Sequence, residues 1–174
     1  MTEPERWVGY LEHRTPELLG IYTANAGKGY CTIFAEQIRQ RQRRNLQGLP
    51  WCATFVHAIF DRPDVLGRAH PGTRVLARRM RRKHLWRGRD YIPRRYDLIF
   101  CSTRKDGRIS HVGIVTGCLG GLVISIDGNT QDPSGTFRPE QGGAVARRER
   151  RLDDPIIVGY AATGGLLRTD KGGF

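Results

Sequence analysis

Residues 96–128 read "YDLIFCSTRKDGRISHVGIVTGCLGGLVISIDG". Three short apolar or alternating runs, "YDLIFCS", "HVGIVTG" and "GLVISIDG", are set apart by Gly, Asp and basic polar residues, the texture of strands joined by turns. Two more runs follow, "GAVARRER" over 143–150 and "PIIVGYAA" over 155–162. Five strands with short connections imply an antiparallel sheet. Upstream the pattern is different. In "YCTIFAEQIRQRQRR" the residues Cys31, Phe34, Ala35 and Ile38 recur at i, i+3, i+4 and i+7, one face of a helix. In "LPWCATFVHAIF" a stripe of Phe55, Val56, Ile59 and Phe60 follows Cys52 and stops before Pro63. A third, basic helix is expected over Thr73 to His84. Helices first and strands after is the order of an α+β domain, with N-terminal helices packed on one face of a C-terminal antiparallel β-sheet. With no internal repeat and no low-complexity linker, residues 1–174 read as a single domain.

Composition narrows what such a domain can do. Hydrophobic residues make up 39% of the chain, enough for a core, while the net charge of +12 points to an anionic partner or surroundings. Nucleic acid, acidic lipid and the bacterial envelope all qualify. No stretch approaches the roughly 18 consecutive apolar residues of a membrane span, and "MTEPERW" lacks the basic start and apolar core of a secretory signal. A cytoplasmic origin with later release or delivery is therefore the expectation, and a monomer is expected. Cys31, Cys52, Cys101 and Cys118 form no CxxC pair, so neither a zinc site nor a thioredoxin motif is indicated. Reduced, buried thiols are the default for all four.

Cys52 departs from that default because of its place. A thiol at a helix N-terminus faces unpaired backbone N–H groups and the positive end of the helix dipole, which favour a thiolate. Such a nucleophile needs a base. His13, His57, His70 and His84 read as surface or helix side chains, whereas His111 opens the strand "HVGIVTG", where its ring can face the helical half. In "SIDGNT" on the next strand, Asp127 and Asn129 are i and i+2 and would share one face, so that either could orient the imidazole. Gln47, five residues before Cys52, is a candidate side-chain oxyanion donor beside the Cys52 backbone N–H. Cys101 and Cys118, at strand ends, read as structural.

Taken in order, "WCATFV", "YDLIF", "HVGIV" and "SIDGN" resemble the CHAP domain, the cysteine, histidine-dependent amidohydrolase/peptidase group among the NlpC/P60-like, papain-related hydrolases. The resemblance runs from about Trp7 to Ala162, including "GYLEHRTPELLGIYTANAGKGYCTIFAE" upstream. It implies a papain-like α+β fold and a peptidoglycan hydrolase, an endopeptidase or N-acetylmuramoyl-L-alanine amidase acting on the bacterial wall and its anionic polymers. Carried over by motif, Cys52 is the nucleophile, His111 the general base and Asp127 its orienting group, with Asn129 at a further polar position. Two departures stand out. Tyr96 occupies the place of the usual Gly before Asp97, and residues 39–50 are rich in Arg and Gln where some relatives carry an acidic calcium loop. No metal and no cofactor are expected.

Two rival readings remain open at this level. "RVLARRMRRKHLWRGR", with Trp86 among clustered arginines, would suit a basic nucleic-acid-binding protein. That reading explains the charge but not the Cys52, His111 and Asp127 set, and no nucleic-acid partner is expected. The other keeps the fold and makes the chain a related cysteine amidase or toxin acting on a non-wall amide.

Overall fold

A computed structural model describes residues 3–19, 29–131 and 143–167. Helix α1 (Ile33–Gln42) starts where Thr32 Oγ1 accepts a hydrogen bond from the Ala35 N–H at 3.1 Å, and it ends at Arg43 in the left-handed conformation. Phe34, Ala35 and Ile38 form its buried face. Cys31, expected on that face, lies ahead of the cap and forms an isolated bridge with His13, because Thr32 stops the helix before it. Helix α2 (Cys52–Phe60) is buried along its whole length, as an apolar stripe with no charged residue permits. A single turn, α3 (Pro63–Leu66), leads to α4 (Thr73–Arg82). Helix α4 buries Thr73, Leu76, Ala77 and Met80 and turns its arginines outward; it ends two residues sooner than expected, with His84 in the left-handed region at φ 57°.

The strands are β1 (Trp86–Arg87), β2 (Leu98–Cys101), β3 (His111–Leu119), β4 (Leu122–Thr130), β5 (Ala144–Arg151) and β6 (Ile157–Ala161), followed by a last turn, α5 (Gly164–Leu167). They form one sheet in the order β1-β6-β2-β3-β4-β5, and every neighbouring pair is antiparallel. The five expected strands are all present. Two-residue β1, hidden in an Arg- and Trp-rich stretch after α4, has too few residues to show a period. Gly120 and Gly121, both with positive φ, make the tight turn from β3 to β4 that a right-handed sheet twist favours.

Alternation along the strands gives the sheet two faces. Leu98, Phe100, Val112, Ile114, Ile126 and Val145 join α1, α2 and α4 in the main core. Ile99, Cys101, Val115, Val123, Ile157 and Tyr160 form a smaller cluster of their own. The helices thus cover one face, as the order of elements predicts. Two backbone positions set how closely α2 can lie. Tyr96, at φ 69°, holds a conformation suited to glycine, and its side chain is fixed by Phe60, by the Arg95 guanidinium and by Glu3. Gly128 of β4 lies directly under α2. A Cβ there would stand 2.7 Å from Phe55 Cβ and 2.8 Å from Trp51 Cζ3, so neither side can yield without moving the helix. Gly128→Ala should therefore cost about 1–3 kcal/mol of stability, read as a lowered urea midpoint with unchanged m-value.

Candidate active site

Helix α2 packs on β3 and β4, with Cys52 at its start. The thiol sits on the first residue of α2, and Trp51 at the N-cap supplies no side-chain cap to the first-turn amides. Trp51 acts as an anchor instead. Its indole stacks on Phe34 at 5.7 Å and donates its N–H to the buried Glu12 Oε2 at 2.6 Å. The turn carrying Cys52 is therefore pinned from behind, and its uncapped N–H groups are left to stabilise negative charge at the thiol or at an attacked carbonyl.

His111 begins β3, across from Cys101 of β2. Its Nε2 lies 2.9 Å from Asp127 Oδ2, both groups being buried. The ring also interacts with the Cys52 thiol, and with Nε2 engaged it is Nδ1 that remains for the sulfur. Burial alone would drive His111 towards neutrality, but the hydrogen bonds and charges of Asp127 and Cys52 outweigh it and hold the imidazole well above its ordinary value. Asp127 is completely enclosed. Burial pushes its carboxyl up, yet the Arg150 charge, His111 and the Ser125 hydroxyl together hold it well below the usual range. Ser125 Oγ donates to Oδ1 at 2.6 Å, Arg150 Nη2 donates to Oδ2 at 2.6 Å, and Arg150 Nη1 donates to Ser125 Oγ at 2.9 Å. A fixed carboxylate, an imidazolium and a thiol at a helix N-terminus form the sequence of groups that activates a cysteine for attack.

No family model, no curated protein and no solved structure matches the chain.

Of the residues singled out in the sequence, Cys52, His111 and Asp127 come together; Asn129 and Gln47 do not join them. Simple alternation fails after Asp127. Asp127 pairs with Ala146 and Thr130 with Ala144, so β4 bulges between them, and Asn129 takes a left-handed φ of 54°. Its Oδ1 lies against Gly143, 2.4 Å from where a Cβ would be, and it makes no hydrogen bond to His111. The Gln47 amide is held at both ends by the Thr32 backbone: Oε1 accepts from the Thr32 N–H at 2.9 Å and Nε2 donates to the Thr32 carbonyl at 3.0 Å. It ties the loop before α2 to the start of α1, so the Cys52 backbone N–H is the donor left at the nucleophile.

The sequence reading also missed members of the site. Ser125 shares the face of Asp127 by simple alternation and was legible in "SID". Arg150 had no local signal, since "ARRERR" reads as a solvated charge run until the β4–β5 register folds one of its arginines inward. Gly113 is required by closeness, because a Cβ there would fall 2.0 Å from Asp127 Oδ1. His13 and His57, read as surface or helix side chains, are both buried, His57 on α2, where burial aided by Arg79 pushes it down to about 3. His70 lines the groove beside Cys52 and accepts the Gly72 N–H on Nδ1 at 2.9 Å, which leaves its Nε2 to carry the proton. Among the described residues no cluster of His, Cys, Asp and Glu is arranged to hold a metal.

Two outcomes follow from this geometry. Burial raises the Cys31 and Cys118 thiols and pushes Cys101 up to about 12, so brief treatment with iodoacetamide at neutral pH should label Cys52 first, as peptide mapping by mass spectrometry will read. Gly113→Ala should displace the Asp127 carboxylate and slow that labelling by roughly tenfold to a hundredfold while far-UV circular dichroism stays native.

Proposed function

We propose that the chain is a cysteine amidohydrolase/peptidase of the CHAP type, with a papain-like arrangement of helix and sheet, and that it hydrolyses amide bonds of peptidoglycan. The observation that carries this reading is the buried chain of contacts from Asp127 through His111 to Cys52, beside a groove that Cys52 helps to line. Purely structural cysteines have no need of an oriented imidazole, and a nucleic-acid binder has no need of either. The wall reading rests on the four sequence motifs and on a net charge of +12, which suits an anionic wall. No described helix is long and apolar enough to cross a membrane. Action at the wall would follow release or delivery from the cell that makes the protein.

In the reaction, the Cys52 thiolate attacks the amide carbonyl, and the Cys52 backbone N–H stabilises the oxyanion. His111, protonated between thiolate and Asp127, gives its proton to the leaving amine. The neutral ring then takes a proton from the water that cleaves the thioester, releasing the acid and restoring the thiolate–imidazolium pair. Ser125 and Arg150 touch no reacting atom. They keep Asp127 ionised and aimed.

Digestion of purified peptidoglycan, with new amino groups located by mass spectrometry, tests the reading and names the bond. Cys52→Ala should abolish release in a protein that folds as before; release that persists in this variant would refute the assignment. Asp127→Asn removes the charge that sustains the imidazolium at high pH, so it should lower kcat/KM and shift the basic limb of its pH profile towards lower pH.

A further inference from the structure

The groove beside Cys52 has a volume of about 660 Å³ and lies between the residues before α2, the start of α4 and the β2–β3 loop. Arg74, Arg104 and Arg108 stand on its walls with one acid, Asp106. That acid is already used: Asp106 Oδ1 accepts from Ser102 Oγ at 2.9 Å and from the Arg108 backbone N–H at 2.9 Å, closing its own loop. The three guanidinium groups make no hydrogen bond or ion pair among the described residues. Other arginines of the chain, Arg39, Arg62, Arg95, Arg147 and Arg151, each pair with a neighbouring carboxylate. A second hollow of about 290 Å³ shares Arg74 and Arg108 with the first and adds Arg78 and Arg81 of α4. A trough of guanidinium groups thus leads away from Cys52, with Arg81 stacked 4.2 Å over the Trp86 ring and Arg74, Arg78, Arg104 and Arg108 in no side-chain hydrogen bond or ion pair among the described residues.

We propose that this trough selects peptides that carry free carboxylates next to the scissile amide, an inference that rests on the hydrolase reading and names its substrate class. Guanidinium forks bind carboxylates in a planar, two-point fashion that an ammonium cannot reproduce, and unpaired ones lose no existing partner on doing so. An acidic wall peptide would be drawn in and held with its amide over Cys52. An amidated peptide of the same shape would lose that hold.

The test compares iodoacetate with iodoacetamide at Cys52, since the two reagents differ only by a carboxylate. Their rate ratio, normalised to glutathione, should favour iodoacetate, and Arg74→Gln combined with Arg108→Gln should reduce it roughly tenfold, while Arg74→Lys with Arg108→Lys should keep most of it. A second arm measures protection of Cys52 by a synthetic wall peptide with two free carboxylates, by its bis-carboxamide and by an oligothymidylate of equal charge. The acidic peptide should protect at concentrations at least about tenfold lower than either competitor. A reagent ratio equal to that of glutathione, or equal protection by the bis-carboxamide, would overturn the inference even where wall digestion depends on Cys52. Better protection by the oligothymidylate would overturn the substrate class. If wall digestion is independent of Cys52, the hydrolase reading fails by a separate measurement.

Discussion

A fully buried carboxylate is the constraint around which this protein is organised. Asp127 is fully enclosed, and an isolated ion in that position would take up a proton to escape the cost of lost hydration. Three donors on three strands prevent it: His111 from β3, Ser125 from β4 itself and Arg150 from β5. Much of the surrounding backbone is then determined. Gly113 has to lack a side chain because the carboxylate occupies the space. The β4–β5 register has to bring Arg150 inward, and Gly128 has to let α2 approach close enough for Cys52 to meet the ring. Folding and the readiness of the thiol are one problem here, since the strand pairs that complete the core also assemble the charges.

The division of labour between sequence and structure follows from the range of each signal. Local periodicity was sufficient for the three longer helices, though not for the single turns α3 and α5, and for five of six strands, because runs such as "HVGIVTG" carry their own alternation. It was sufficient also for Cys52, whose position at the start of an apolar helix is a local fact, and for His111 and Asp127, which lie on adjacent strands. What it could not supply was any departure from regular geometry. The bulge after Asp127 rotates Asn129 away, and it depends on how β5 pairs, which no residue in "DGNT" announces. Gln47 was read from its distance in sequence to Cys52, yet the open backbone groups at the start of α1 hold it. Arg150 lies at the far end of the same limitation, indistinguishable from its solvated neighbours until the register is known.

Charge serves two purposes in this chain. Arg150 is buried, bonded and structural, while Arg74 and Arg78 of α4 and Arg104 and Arg108 of the β2–β3 loop are exposed and make no side-chain hydrogen bond or ion pair among the described residues. An excess of cations that merely kept the protein soluble would have no reason to collect, unpaired, along the groove that ends at the thiol. That distribution connects the basic composition, uninformative as a bare total, to the site. The same arginines that suggested nucleic acid in the sequence are thereby placed beside Cys52, where, on the hydrolase reading proposed above, they would bear on substrate choice.

The central claim is that Asp127 and Cys52 together hold the His111 imidazole protonated where an ordinary histidine, with a value near ~6.5, would be neutral. Nitrogen-15 NMR of histidine-labelled protein reads this directly, since imidazolium and neutral ring differ at both nitrogens. The account predicts that at pH 8 both nitrogens of His111 are still protonated, and that the ring loses its proton only well above that pH. A His111 ring that is neutral at pH 8, with its transition in the ordinary histidine range, would contradict it.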